Sequence, residues 1–433
     1  MPNEGRRSLL QVEQLEDRSL PTVFTVTSAA DTIARGDGLT LREAVTAIAT
    51  HRASGDAAAG SYSSDTIRFA IPGRGVQTIR LRSTLPTLTS PVFIDATTQP
   101  GYRTTPLIQL DGTSAGLRSD GLVLAGGYSS VRGLAIVHFG GSGIVLNSSH
   151  NVVAADHIGV DASGYFGAGN GIDGIRITGA QNAIGGSRTT DRVVVSGNKR
   201  AGIEMTGTGA WGNTVQGSYI GTDANGFAAV ANVTGILIHA GASRNTIGGL
   251  TRAVRNVVTG NRLDEIEITD RGTSGNKVQG NYIGVGASGE AAALSGRDGV
   301  RIDSGASGNT VGGTVIGAGN LISGAGHLGG TSPGAGITLI GTGTAGNTIQ
   351  GNWVGLDKAG LTRLSNIGGG ILVRSGATGN TIGGWTRAAQ NVVSDQVNTS
   401  GLSRTNQLLS ATWYIHSIDF LLNPTLIHGS FKA

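Results

Sequence analysis

The sequence has no cysteine among its 433 residues. This absence excludes a disulfide framework, a thiolate zinc site and a cysteine nucleophile. Only 9 residues are proline and no strict Gly-X-Y period occurs, which excludes a collagen-like chain. Charged residues make up 14% and hydrophobic residues 38%, which is the opposite of the composition of a disordered chain. The sequence is therefore expected to fold.

The sequence also has no long apolar run, only a small net charge and few aromatic residues. No uninterrupted run of apolar residues is long enough for a transmembrane helix. Residues 1–22 are charged and lack the apolar core of a secretory signal. The net charge is only +4 and no basic run occurs, so nucleic acid is not an expected partner. Aromatic residues make up 4%, which leaves few platforms for sugar rings.

Glycine is abundant, at 74 residues, and it belongs to an internal repeat. One phrase, Asn-x-Val/Ile-x-Gly/Ala, begins at Asn151, Asn213, Asn276 and Asn347. A second, Asn-Thr/Ala-Ile/Val-Gly-Gly, begins at Asn182, Asn245, Asn309 and Asn380. Both phrases recur after about 63 residues, with a longer last step, so one structural period governs the region.

Short strands of the type Gly-apolar-x-apolar occur twice in each period. They begin at Gly121, Gly143, Gly174, Gly202, Gly235, Glu265, Gly299, Gly336 and Gly370. Most of the intervals hold three strand-like bursts separated by Gly, Asn and Thr turns, which is one coil of a solenoid. We predict an all-β right-handed parallel β-helix, a three-faced solenoid of about nine or more coils. Blades of a propeller would need four antiparallel strands each.

The N-terminal region predicts a strand followed by a short capping helix. Thr40 and Glu43 form a capping-box pattern, and Leu41, Ala44, Val45 and Ile48 have the spacing of one buried helix face. The segment Gly38–Ala44 resembles the Cys-Ser-Leu-Arg-Glu-Ala motif that opens a family of bacterial parallel β-helix proteins. Leu39 stands in place of the cysteine of that motif, so no role that needs a thiol carries over. Residues 94–102 resemble a further segment of the same proteins.

These features divide the chain into four parts. Residues 1–22 are a leader or disordered tail, and Val12–Arg18 with Leu20–Pro21 is similar to the leader of many exported β-rich bacterial proteins. Residues 23–120 form an N-terminal cap and the first coils, and residues 121–394 form the repeats. Residues 395–433 contain only two glycines, so the repeat has stopped. This tail either caps the open end of the solenoid or marks an artificial end, and the sequence leaves both open.

Candidate site residues lie at the outward position of the glycine-led strands. In order these are Val123, Val145, Arg176, Glu204, Leu237, Glu267, Arg301, Thr338 and Leu372. Glu204 and Glu267 lie two coils apart, about 9.6 Å, at the upper end of the carboxylate separation in inverting glycosidases. Arg176 and Arg301 flank them, so an ordinary charge ladder is the competing and favoured interpretation. Arg176 and Arg301 are also the weak candidates for substrate binding.

Other polar residues are expected to be structural. The repeated asparagines predict a hydrogen-bonded ladder between coils. Asp120, Asp173, Asp264 and Asp298 each precede a strand and suit turns. Asp161, Asp223 and Asp357 provide one carboxylate per loop, fewer than calcium needs, and His239 and His327 lack a metal or base spacing. We expect no metal and no cofactor.

The resemblance implies a secreted or cell-surface protein with a pectin lyase-like fold. The leading hypothesis is an exported scaffold or adhesion module that binds anionic polysaccharide. The alternative is a polysaccharide lyase or glycoside hydrolase acting on an acidic glycan. Because one fold hosts many functions, the sequence leaves open whether the chain is an enzyme, its ligand and its oligomeric state.

Overall fold

Three long β-sheets run side by side along the molecule. The computed structural model describes residues 21–292, 295–327 and 334–394, and the backbone of residues 407–409. The predicted leader up to residue 20 and most of the tail after residue 394 lie outside the described residues. Within the described part, no helix is long and apolar enough to cross a membrane.

The strands are short because each contributes one straight edge of a coil. In the first sheet the strands are Val23–Val26, Asp65–Phe69, Val92–Asp95, Ser130–Arg132, Val152–Ala154, Ala183–Gly185, Thr214–Gln216, Thr246–Gly248, Lys277–Gln279, Thr310–Gly312, Thr348–Gln350 and Thr381–Ile382. In the second sheet they are Gln77–Arg80, Ile108–Asp111, Leu134–Val137, His157–Ile158, Val194–Val195, Tyr219–Ile220, Val257–Val258, Tyr282–Ile283, Leu321–Ile322, Trp353–Val354, Asn391–Val393 and Gln407–Leu409.

The third sheet corresponds to the nine predicted strands, eight of them led by glycine and one by Glu265. Its members are Leu122–Leu124, Ile144–Leu146, Ile175–Ile177, Ala201–Thr206, Thr234–His239, Ile266–Ile268, Val300–Asp303, Ala335–Ile340 and Gly369–Arg374. All strand pairs are parallel except the last pair of the second sheet, Asn391–Val393 with Gln407–Leu409. The predicted three-faced parallel β-helix is confirmed.

Each coil visits the three sheets in turn. The chain passes from Val152–Ala154 to His157–Ile158 and Ile175–Ile177, and then enters the next coil at Ala183–Gly185. Alternate side chains point inward and form one continuous apolar core, in which residues such as Ile203 are fully buried. Parallel pairing between coils therefore places every second residue of a strand on the outer face.

The predicted N-terminal helix spans Leu41–Thr50. Thr40 Oγ1 accepts the N–H of Glu43, and the Glu43 side chain accepts the N–H of Thr40, so the capping box is complete. The helix buries Ala44 and Ile48 in the same core as the strands. It packs beside the strand Val23–Val26 and covers the start of the solenoid.

The 63-residue period is explained by two alternating kinds of coil. One kind carries a hairpin-like loop between the second and third sheets, closed by the bridges Val160↔Gly167, Thr222↔Ala229, Val285↔Ala292 and Leu356↔Arg363. In three of the intervening coils a 3₁₀ helix lies between the first and second sheets, at Thr189–Asp191, Arg252–Val254 and Arg387–Ala389. A further 3₁₀ helix, Ala96–Thr98, lies near the N-terminus.

The predicted asparagine ladder is present, and the structure adds two more. The predicted ladder runs through Asn182, Asn213, Asn245, Asn276, Asn309, Asn347 and Asn380, and Asn151 extends it by one coil. A second runs through Asn170, Asn198, Asn232 and Asn261, and a third through Asn256, Asn281, Asn320, Asn352 and Asn391. In each step one Oδ1 accepts the backbone N–H and the Nδ2–H of the preceding asparagine, which satisfies buried donors.

At the end of the second ladder, a glutamate replaces the glycine of the repeat and a serine replaces the asparagine. Asn261 donates to the carboxylate of Glu265 instead of to an asparagine of the next coil, where Ser295 stands. In the preceding coil the position of Glu265 is Gly235, where a Cβ would lie 2.7 Å from Asn261 Nδ2. Glu265 therefore fills the space that the smaller Ser295 leaves.

Candidate functional site

The predicted outward column is present in the predicted register. Each member pairs with the next across parallel strands, from Val123↔Val145 through Glu204↔Leu237 and Glu267↔Arg301 to Thr338↔Leu372. The column brings together two clusters of charged side chains on the outer face of the third sheet. The Glu204 cluster comprises Asp173, Arg176, Arg200, Glu204, His239 and Asp270. The Glu267 cluster comprises Asp264, Glu267, Arg297, Asp298, Arg301 and Asp303.

Glu204 is an outward-facing carboxylate that its neighbours nevertheless bury to 1% exposure. Its Oε2 lies 3.2 Å from Arg176 Nε on the preceding strand and 2.5 Å from Arg200 Nη2. Burial would raise the pKa of Glu204, but hydrogen bonds from His239 and Arg200 and the charge of Arg200 lower it to about 2. Glu204 is therefore ionised, with His239 at Oε1 and the two arginines within ion-pair distance of Oε2.

Arg200 is held in place by a second, fully buried carboxylate. Its Nε donates to Asp173 Oδ1 at 2.9 Å and its Nη2 to Asp173 Oδ2 at 2.6 Å, a bidentate pair. Asp173 Oδ1 also accepts the backbone N–H of Ala201. Burial raises the pKa of Asp173, and the hydrogen bond from Arg200 opposes that rise.

His239 connects Glu204 to the rim of the face. Its Nε2 lies 2.8 Å from Glu204 Oε1, and its Nδ1 lies 3.5 Å from Asp270 Oδ2. The hydrogen bond to Glu204 raises the pKa of His239, because it favours the imidazolium form. The sequence pattern gave His239 no role, since its partner lies 35 positions away on the adjacent strand.

Glu267 has the same outward position but a different environment. Within the described part of the chain, no hydrogen bond or ion pair engages its carboxyl group. Burial, together with the charges of Asp264 and Asp303, raises the pKa of Glu267 to about 7. This side chain therefore carries a proton for part of the time at neutral pH.

The arginines near Glu267 are engaged by aspartates. Arg297 forms a bidentate pair with the fully buried Asp264, which repeats the pairing of Arg200 with Asp173. Arg301 Nε lies 2.7 Å from Asp303 Oδ2, and its Nη1 lies 3.3 Å from Asp298 Oδ2. The expectation that Arg301 pairs with Glu267 is thus wrong, because Asp303 lies two residues along the same strand and on the same face.

Aspartates that precede the third-sheet strands link coils. Asp120, Asp173, Asp264 and Asp298 each accept a backbone N–H from the following coil, from Ser142, Ala201, Asp298 and Ala335 respectively. These bonds explain why aspartate recurs at this position. Among the described residues, no group of three or more His, Asp or Glu side chains is arranged to hold a metal ion.

Comparisons with known proteins identify only remote structural likenesses. No family model matches the sequence, and a comparison with curated proteins found no match. A PL6 family polysaccharide lyase from Pseudopedobacter saltans is 15% identical with a TM-score of 0.39, covering 82% of this chain and 86% of the lyase. The pectate lyase Pel9A is 13% identical with a TM-score of 0.37, covering 90% and 80%. Likenesses this remote transfer no residue role to this chain.

Proposed function

We propose that this chain is an exported β-helix module whose third-sheet outer face binds an acidic polysaccharide without cleaving it. The observation that carries the proposal is that Asp173 and Asp264, both fully buried, each hold an arginine of the following coil at the surface. An arginine fixed in this way loses little side-chain freedom when it binds a carboxylate or sulfate.

Four guanidinium groups would provide the contacts. The side chains of Arg176 and Arg200 are 48% and 43% exposed, and that of Arg297 is 32% exposed. In the part of the chain that the structure describes, Nη1 of Arg200 and Nη1 of Arg297 donate no hydrogen bond to the protein. Arg301 is less accessible, and we expect it to contribute less.

Binding without cleavage is favoured by the state of Glu204. A glycosidase of the two-carboxylate type needs one carboxyl group as acid and another that faces water or the sugar. Glu204 is buried and paired through both oxygens, so it cannot take the second role without breaking its pairs with His239 and Arg200.

The alternative is a polysaccharide lyase or glycoside hydrolase, and Glu267 is the residue that favours it. A partly protonated, unpaired carboxyl group can act as a general acid or base near neutral pH. In that reading Glu267 would exchange the proton, and Arg301 or Arg297 would hold the uronate carboxylate.

Affinity electrophoresis on polygalacturonate and alginate tests the proposal. We expect the protein to be retarded, the retardation to fall as salt rises, and Arg176→Ala to weaken it severalfold. Arg252→Ala is the matched control, because Arg252 is an exposed arginine on a 3₁₀ helix away from this face. Equal retardation of both variants, or none for the native chain, would overturn the proposal.

An assay of chain cleavage on the same polymers separates the alternative. We expect no release of reducing ends or unsaturated uronates. Turnover that Glu267→Gln abolishes, while polymer retardation is retained, would establish the enzymatic alternative in place of the binding module.

A further inference from the structure

The four hairpin loops stack into a continuous surface on the opposite side of the second sheet from the 3₁₀ helices. This loop ridge comprises residues 161–166, 223–228, 286–291 and 357–362. Backbone bonds join the loops in series: Ala224 N–H to Gly164 O at 2.9 Å, Ala287 N–H to Gly226 O at 2.9 Å, and Lys358 N–H to Gly289 O at 2.8 Å. Equivalent residues of successive loops therefore recur every two coils, about 9.6 Å apart at 4.8 Å per coil.

Two aromatic rings occupy the same position in the first two loops. Tyr165 and Phe227 are 49% and 56% exposed, and Phe166 beside Tyr165 is more exposed still. Asn225 Nδ2 donates to the Tyr165 hydroxyl at 3.2 Å, so the first ring reaches toward the second loop. A Cβ at Gly286 would lie 3.3 Å from Phe227 Cδ1, so the second ring packs against the third loop.

The backbone beneath both rings is fixed by aspartates. Asp161 Oδ1 accepts the N–H of Tyr165 and of Phe166, and Asp223 Oδ1 accepts the N–H of Phe227. These two aspartates follow the Ile-Gly pairs at positions 158–159 and 220–221, and their carboxylates face their own loops. The backbone that carries the rings is thus held at a fixed spacing before any ligand arrives.

The loop ridge has no excess of positive charge, because its four carboxylates and one lysine leave a net charge of −3. The loop carboxylates Asp161 and Asp223 accept backbone N–H groups, and Glu290 pairs with Lys358 at 2.7 Å. Single-stranded nucleic acid also stacks on aromatic rings, but it needs a positively charged groove, which this surface lacks. An uncharged ligand with flat, repeating apolar faces fits the surface better.

We propose that Tyr165 and Phe227 form a stacking platform for a neutral β-1,4-linked polysaccharide that lies along the axis of the β-helix. In such a chain successive sugars are turned over, so alternate sugars present the same apolar C–H face. That two-sugar repeat is close in length to the two-coil repeat of the rings. The site is separate from the charged third-sheet face. It takes a neutral ligand, whereas that face takes an anionic one.

Isothermal titration of the full chain with cellohexaose, and with mannohexaose as a second probe, tests the proposal. We expect weak binding that Phe227→Ala and Tyr165→Ala each reduce three- to tenfold, and that added salt leaves unchanged. Leu361→Ala is the matched control, because Leu361 is 86% exposed at the same loop position outside the ring pair. All three side chains are exposed, so we expect the variants to fold.

The outcomes distinguish this site from the acidic-polysaccharide face. Arg176→Ala should leave cellohexaose binding unchanged, and Phe227→Ala should leave retardation by polygalacturonate unchanged. The proposal is overturned if neither hexasaccharide binds, if Leu361→Ala weakens binding as much as Phe227→Ala, or if salt abolishes it. It is also overturned if sedimentation shows self-association that the double variant removes, because the rings would then bind a second copy of the chain.

Discussion

The Glu204 and Glu267 clusters occupy equivalent places on one face yet treat the same residue type in opposite ways. Arg176, Arg200 and His239 converge on Glu204, and its pKa falls to about 2. Around Glu267 the arginines are held by aspartates, and its pKa rises to about 7. The comparison shows that the partners of a carboxyl group, and not its position in the column, decide its ionisation.

One difference between the clusters lies two residues beyond the outward column. In the strand that follows Glu204 this position is His239, which adds a cation beside the glutamate. In the strand that follows Glu267 it is Asp303, which removes Arg301 from the glutamate and adds a negative charge. This exchange at the strand end is one source of the contrast, and a second is that Arg176 precedes Glu204 where Leu237 precedes Glu267.

The largest expected effect comes from the interior beneath the Glu267 cluster. Glu265 is fully buried, and burial raises its pKa to about 7 although its carboxyl group accepts hydrogen bonds from Asn261. Glu265→Gly should lower the free energy of unfolding by about 3 kcal/mol, because it leaves two donors of Asn261 unsatisfied and opens a cavity. Chemical denaturation measures the loss.

A second substitution tests whether Glu265 is needed only because Ser295 replaces the asparagine of the ladder. Adding Ser295→Asn to Glu265→Gly restores the Gly and Asn pairing of the neighbouring coils, and we expect most of the stability to return. Ser295→Asn alone should destabilise, because Glu265 occupies the space. A double variant no more stable than Glu265→Gly would contradict this account of the ladder.

The next effect concerns Glu204 itself. Glu204→Gln keeps the shape but removes the charge that two arginines and His239 face, so we expect a loss of about 2 to 3 kcal/mol at pH 7. The matched variant Glu267→Gln should not destabilise at pH 7 but stabilise, because a neutral amide replaces a carboxyl group whose ionisation its surroundings disfavour. Equal losses would mean that the two clusters do not differ as their contacts indicate.

The pH dependence of stability provides a smaller and opposite pair of effects. A carboxyl group whose pKa is lowered in the folded state contributes stability at pH values above its unfolded pKa, near 4.5. The contribution of Glu204 is therefore lost as pH falls from about 4.5 to 2. A carboxyl group whose pKa is raised in the folded state favours folding only while it is protonated. Stability therefore declines at Glu267 as pH rises from about 4.5 to 7. Glu267→Gln should remove about 2 kcal/mol of the decline between pH 5 and 8, measured by denaturation at each pH.

The sequence predicts the fold well because its signals are local. Glycine-led strands and strict alternation identify all nine strands of the third sheet and the outward residue of each. The site is less predictable because its partners are set by side-chain direction across coils. Arg200 reaches Asp173 and Glu204 together, and Arg301 turns to Asp303, and neither choice follows from spacing alone.

The smallest effect would come from giving Glu267 the cation that it lacks. Leu237 pairs in register with both Glu204 and Glu267, so Leu237→Lys places an ammonium group on the strand beside Glu267. We expect the pKa of Glu267 to fall by about one unit, while at pH 5, where Glu267 is mostly protonated, the free energy of unfolding changes by only a few tenths of a kcal/mol. Carboxyl-carbon NMR titration of labelled glutamate measures the shift.

Leu372→Lys is the control for this titration because it lies in the same column three strands beyond Glu267. At about 14 Å, its charge is beyond the screening length of about 8 Å at physiological salt. We therefore expect it to leave the pKa of Glu267 unchanged. If both lysines lowered that pKa equally, the summed field of the face, and not the nearest partners, would set the ionisation of its carboxyl groups, and the contrast between the two clusters would need a different cause.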